Sequence, residues 1–174
     1  MNRRDLIKLG CVTAVGLGAG GPLLAAGPRR RPDLVLVDER FAAGRAFAAV
    51  ARRAGATIVA TEGDVASLRY GALRDAPLAG LAGLTGYADM VVIASLAAEQ
   101  RRTFALRMRH DVTGARATHR IVDGLPAHGG VLAMAGGQWP HGLWSIMQGQ
   151  RVAGVARAGQ AAGRDGTLWS WAIA

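Results

Sequence analysis

From residue 33 onward the chain alternates short apolar runs with longer alanine-rich stretches, and that alternation restricts the fold more than any motif does. Residues 33–37 are an apolar run fit for a strand buried on both faces. In 41–54, Phe41, Phe47, Ala48, Ala49 and Val50 form a helical apolar stripe, and Gly55 caps that helix. Residues 57–60 read as a second strand, Asp64 as the N-cap of a helix over 65–73, and Pro77 as its break. Residues 78–84 predict a short third strand of small residues. Thr85 then caps the longest helix, 87–99, with Met90, Val91, Ile93, Ala94 and Leu96 facing inward. Three βα units of this kind predict a Rossmann-like parallel sheet.

After residue 100 the period changes from helical to alternating, and one turn sets the arithmetic. A two-residue loop at Gly114-Ala115, with glycine first as a type II′ turn prefers, pairs residues whose numbers sum to 229. His110 then faces His119, Met108 faces Ile121, and Arg109 faces Arg120. One face collects Phe104, Leu106, Met108, His110, His119 and Ile121 and is expected in the core. The other carries Arg107, Arg109, Arg120 and Val122, with Asp111 on the same side. Opposed like charges destabilise an antiparallel pair. The three arginines are therefore a candidate anion or partner face, unless they form a solvated surface that discourages edge pairing.

The remainder is looser. Residues 124–137 are glycine-rich, with one short apolar segment around 131–135. Pro140 and Gly149 bracket a helix of about two turns, with Trp144, Ile146 and Met147 on its apolar side. Residues 167–174 alternate as a final strand that places Trp169, Trp171 and Ile173 on one face. Core packing is the ordinary outcome for these tryptophans; an exposed stripe would mark a partner surface. The fold class expected is α/β: a small three-layer sandwich with a parallel βαβαβα core, extended by an antiparallel hairpin and a C-terminal strand. Residues 33–174 form one domain after a short flexible lead-in, 27–32.

The N-terminus reads as an address. Arg3 and Arg4 precede a weakly hydrophobic run, 9–26, that carries five glycines and is broken by Pro22. With Lys8 completing the pattern, and Leu6 and Ile7 as its apolar positions, the segment resembles a bacterial twin-arginine (Tat) signal peptide. The resemblance covers residues 1–26 and implies passage of the folded protein through the twin-arginine translocase to the periplasm. Cleavage after Ala26 is expected, with an uncleaved membrane tether as the alternative; after cleavage no stable membrane insertion is expected. Residues 16–21 also satisfy G-x-G-x-x-G, but the helix that motif requires would have to run through Pro22, Pro28, Pro32 and three consecutive arginines.

Composition then narrows the chemistry. The 174 residues include 21 basic and 12 acidic ones, for a net charge of +9. Residues 1–26 hold Arg3, Arg4, Lys8 and Asp5, so the remaining 148 carry 18 basic and 11 acidic residues, a net +7. Cys11 and Lys8 are the only cysteine and lysine and both lie in the signal segment. The mature part therefore has no thiol nucleophile, no thiolate metal site, and no lysine for Schiff-base or P-loop chemistry. No cofactor or metal is expected. Nucleic acid is not an expected partner in the periplasm, whereas a partner subunit or small anionic ligand fits the basicity.

In an open α/β sheet, ligands bind beyond the carboxyl ends of the strands. Those ends hold Asp38-Glu39-Arg40, Glu62-Gly63-Asp64 and Thr85-Gly86. The candidate ligand site is accordingly Asp38, Glu39, Asp64, Thr85 and Gly86. Its carboxylates are suited to take a proton or grip hydroxyls, and its helix start to receive an anion. The plain alternative is that Asp64 and Thr85 are caps and that Asp38 or Glu39 only favours a helix start. His110 and His119 are close enough across the hairpin to share a metal ion, though surface histidines at a hairpin tip are the ordinary expectation. No serine lies in a Gly-x-Ser-x-Gly elbow. Two functions fit: an exported, non-catalytic accessory or ligand-binding domain, or a small periplasmic enzyme using strand-end carboxylates on a polar or anionic substrate. The first is preferred, since no catalytic motif is present.

Overall fold

The computed structural model describes residues 31–62, 71, 73, 74, 76–150 and 164–174. The expected signal peptide, Asp64 and most of the helix expected over 65–73 lie outside the described residues. In chain order the elements are β1 (Leu34–Val37), α1 (Ala42–Arg53), β2 (Thr57–Ala60), β3 (Leu81–Thr85), α2 (Tyr87–Glu99), β4 (Phe104–Thr113) and β5 (Arg116–Asp123). They are followed by α3 (Ala127–Ala135), a 3-10 turn (Gly136–Gln138), α4 (Trp139–Met147) and β6 (Gly166–Ile173). The fold is mixed α/β, with one six-stranded mixed sheet in the order β2-β1-β3-β6-β4-β5. β1 pairs in parallel with β2 and with β3, and β6 runs antiparallel to both β3 and β4.

Apolar clusters lie on both faces of the sheet. One joins Val35, Val37, Ala82, Leu84, Leu106, Met108 and Leu168 to α1, α3 and α4 through Phe47, Leu132, Leu143 and Trp144. The other sets Leu36, Leu81, Trp171 and Ile173 against Met90, Ile93 and Leu96 of α2. Val91, expected inward, is exposed, and Ala97, one turn after Ile93, is buried. Two glycines allow close packing at the strand centre and at α1. The indole of Trp171 occupies the place a Cβ on Gly83 would take, and the carbonyl of Asp38 does the same at Gly44. Gly55, at φ +84°, closes α1 by donating to the carbonyl of Arg52 at 2.8 Å. Few L residues tolerate that backbone region.

The hairpin forms in the expected register, with His110 opposite His119 and Arg109 opposite Arg120. Two irregularities change its edges. A shift between Arg107 and Met108 sets Arg107 opposite Asp123 rather than Val122. A second one between Phe104 and Leu106 turns Phe104 to the opposite face, against Trp171, so it does not join the Leu106–Met108 side as the alternation predicts. Each bulge adds one residue to the count and reverses the side chains beyond it. The loose segment expected before residue 137 contains a helix, α3. Gly129 faces Ile121 and the carbonyl of His119 of β5, and Leu132 and Ala135 of the helix are buried. Tertiary burial has here overridden the weak helix propensity of glycine.

Candidate functional site

The carboxyl ends of β1 and β3 converge on a polar cluster. The N–H of Asp38, the residue after β1, donates to the carbonyl of Leu84 at 3.0 Å, which tethers the end of β1 to β3. Its buried carboxylate accepts three bonds from Arg40: the backbone N–H at 3.1 Å, Nε at 2.9 Å and Nη2 at 2.7 Å. This two-toothed grip compensates a carboxylate that is wholly removed from solvent. Arg40 is held above its ordinary pKa first by that hydrogen bond and further by the charges of Asp38, Asp89 and Glu62. Gly86 adjoins the same carboxylate and is the N-cap of α2, with no side-chain cap bond. Asp89 stands buried in the first turn of α2, where a negative charge is favoured.

Beside Arg40 lies a shallow cleft of about 340 Å³ bordered by Glu39, Arg40, Ala60 and Glu62. Glu62 holds a left-handed backbone, φ +47°. Glu39 turns outward and is bound by Arg52 at 2.6 Å. Of the residues expected at the strand ends, Asp38 and Gly86 are brought together and Glu39 forms the rim. Asp64 lies outside the described residues. Thr85 does not cap α2, because its side chain points into the core, where Oγ1 accepts from Trp171 Nε1 at 3.1 Å and donates to the carbonyl of Gly86 at 3.3 Å. The cap position belongs to Gly86, since β3 extends through Thr85. Sequence reasoning assigned no function to Arg40 or Asp89. The readable signals were an arginine two residues after a strand-end aspartate and an acid in a helix's first turn.

A second cluster lies on the other half of the sheet. His110 is fully buried, as expected of the core face of the hairpin and not as a surface histidine at its tip, because α3, the 3-10 turn and Trp139 cover the hairpin on that side. Its Nδ1 faces Nδ1 of His119 at 2.7 Å, and its Nε2 faces Ser170 Oγ at 2.7 Å. Trp139 stacks on His110 with centroids 4.5 Å apart and lies 5.1 Å from the ring of His119. Burial holds His110 well below the ordinary imidazole value, with repulsion from His119 adding to it, and pushes half-buried His119 down to about 4. Both rings are neutral at pH 7. The register that pairs these histidines was legible; the serine and the tryptophan come from β6 and α4 and were not.

The arginine face is largely neutralised from within the chain. Arg107 is paired with Asp123 at 2.7 Å and Arg109 with Asp111 at 2.8 Å. Asp111 is also bound by Thr167 at 2.7 Å, and that bond, then Arg109, keeps its carboxyl below the ordinary range. Arg120 stays exposed on the same face. Trp171 is fully buried, whereas Trp169 is half-buried beside exposed Tyr87, with centroids 5.5 Å apart. Among the described residues no three His, Cys, Asp or Glu side chains gather as a metal site, and no helix is long and apolar enough to cross a membrane. No protein-family model, curated protein or solved structure matches the chain.

Proposed function

We propose that this protein is an exported, non-catalytic ligand-binding or accessory domain that holds a small polar ligand at the carboxyl ends of β1, β2 and β3. The observation that carries the reading is the Asp38–Arg40 pair beside Gly86 and Asp89, opening onto the cleft at Glu39, Ala60 and Glu62. The ligand would be met by the free part of the Arg40 guanidinium and by the carboxylates of Glu39 and Glu62. That donor set suits a small molecule carrying both hydroxyl or amino groups and an acidic group. Asp38 serves the binding role better than the catalytic one. Both of its oxygens are engaged by Arg40 and it is wholly buried, so it has no free edge to offer a substrate, and the alternative of a small periplasmic enzyme draws less support.

The accompanying fold reading is a three-layer sandwich on a parallel βαβαβα core, in which β1 and β3 flank a topological switch point. It is supported by the parallel registers of β1 and by the apolar clusters on both sheet faces. Export through the twin-arginine translocase rests on Arg3, Arg4 and Lys8. Native mass spectrometry of protein purified from the periplasm tests the whole reading. The expected result is a mature N-terminus at Gly27 and a bound small molecule that is lost in Arg40→Ala. A bare polypeptide for both proteins would sink the ligand claim, and an intact Met1 in the exported protein would sink the cleavage.

A further inference from the structure

The His110–His119 pair serves no purpose in the strand-end reading, and it brings two imidazole donors together on the core face of the hairpin. Two neutral imidazoles point the same ring atom, Nδ1, at each other across 2.7 Å. Their Cα atoms are direct cross-strand partners, so both rings project from the same face of one hairpin. Only one hydrogen fits between the facing nitrogens, and each nitrogen otherwise presents a lone pair. Among the described residues, no carboxylate or guanidinium bonds to either ring; Ser170 Oγ lies at Nε2 of His110. Around the pair stand Trp139, Met108, Val112 and Leu168, all buried.

We infer that His110 and His119 form a two-coordinate site for a soft monovalent cation, copper(I), held between their Nδ1 atoms. Three features select that class of ion. Imidazole nitrogen is a good copper ligand. A site without an anionic donor and lined on the His110 side by buried apolar side chains penalises a divalent ion more than a monovalent one, because the burial cost of charge is not offset there. Zinc(II) in a protein also takes four ligands as a rule, and the pair supplies two. The Ser170 hydroxyl does for His110 what outer partners do for metal-bound histidines: by accepting from Nε2–H it leaves the lone pair on Nδ1.

The protons balance without a co-reactant. In the metal-free pair with His110 protonated at Nε2, the shared hydrogen belongs to Nδ1 of His119. When the ion enters, that hydrogen leaves Nδ1 and Nε2 of the same ring takes one up, so both imidazoles stay neutral and no net proton is released. A nearly linear arrangement needs the nitrogens roughly 4 Å apart, twice the ~2.0 Å bond between a metal and imidazole. His119 is the ring that moves, since it is half-buried while Ser170 and Trp139 hold His110.

The test uses the full chain carrying Cys11→Ser, because a free thiol binds copper(I) on its own. Anaerobic titration with copper(I) against a chromophoric chelator is expected to give one equivalent bound. Affinity is expected to fall at least tenfold in His119→Phe and several-fold in Ser170→Ala, and zinc(II) is expected to bind at least tenfold more weakly than copper(I). Long-range proton–nitrogen spectra of the unsubstituted histidines decide the matter even where a variant fails to fold. On adding copper(I), or silver(I) as a redox-inert stand-in, both Nδ1 resonances must shift while both Nε2 atoms carry protons. No uptake, unchanged affinity in a folded His119→Phe, unmoved Nδ1 resonances, or tighter binding of zinc(II) would each overturn the assignment.

Discussion

The two polar clusters solve the problem of burying polar groups in opposite ways. At the strand ends the buried Asp38 carboxylate is compensated by an oppositely charged partner, Arg40, whose side chain is 45% exposed. On the far half of the sheet His110 and His119 discard charge altogether and are satisfied by neutral hydrogen bonds under an indole lid. The contrast follows from solvent access. An arginine at an open cleft stays hydrated while it grips a buried carboxylate, so the pair avoids the full desolvation cost of two enclosed ions. Among the described residues, the only groups that reach the His110 ring nitrogens, His119 and Ser170, bring no opposite charge, so neutrality is its stable state. The charged cluster is suited to meeting a hydrated polar ligand, and the neutral one keeps its ring nitrogens uncharged beneath the indole.

This contrast can be broken from either side, and the largest effect should come from the lid. Trp139→Ala is expected to cost about 3–5 kcal/mol by calorimetry or denaturant unfolding. In the folded fraction it should raise the pKa of His119 from about 4 toward the ordinary 6.5, because burial is what depresses it; an unchanged pKa by NMR titration would refute the desolvation account. Arg40→Met comes next, at about 2–3 kcal/mol. That is below the ~3–5 kcal/mol typical of breaking a wholly buried pair, since Arg40 is half exposed. Asp38→Asn in the same chain should restore most of the loss. If the double variant is as unstable as the single one, the uncompensated charge is not the cause.

Ser170→Ala should cost about 1–3 kcal/mol by leaving His110 Nε2 unsatisfied in the core. Acid acts on the same row. The folded pKa of His119, about 4, lies below the unfolded value near 6.5, so between these limits the unfolded chain binds more protons. Stability is then complete above pH 6.5 and declines as pH falls toward 4, by at most about 1.4 kcal/mol per pH unit for each histidine. Replacing His119 by Gln should flatten that part of the curve, and an equally steep decline in the variant would assign it to other groups. The smallest effect belongs to the half-exposed Arg109–Asp111 pair. Arg109→Ala should change stability by less than about 1 kcal/mol and lose even that in high salt.

Much of the scaffold was readable from periodicity. α2 and β2 match the residues expected of them, and the Gly114-Ala115 turn set the register that puts His110 opposite His119. These features depend on neighbours in the chain: a helical stripe, an apolar run, a two-residue loop. What failed were inferences needing knowledge of what packs against a segment. Thr85 looked like a cap until Trp171, from the far end of the chain, claimed its hydroxyl. The glycines before residue 137 looked like a loop until burial of Leu132 and Ala135 made them a helix. Alternation placed Phe104 on the wrong face, since a bulge leaves no mark in a period of two.

The candidate sites divide along the same line. That acids would stand at the ends of β1 and β2 follows from where the apolar runs stop, and residues 33–40 alone contain Asp38 and Arg40 two positions apart. Local patterning therefore determined the elements, the hairpin register and the placement of charge at the strand ends. Only the tertiary structure decided that Arg40 folds back on Asp38, that Gly86 and Asp89 meet them, and that Ser170 and Trp139 enclose two histidines. Those contacts join residues up to 60 positions apart. They form because apolar faces too far apart in sequence to be paired by inspection must be buried together.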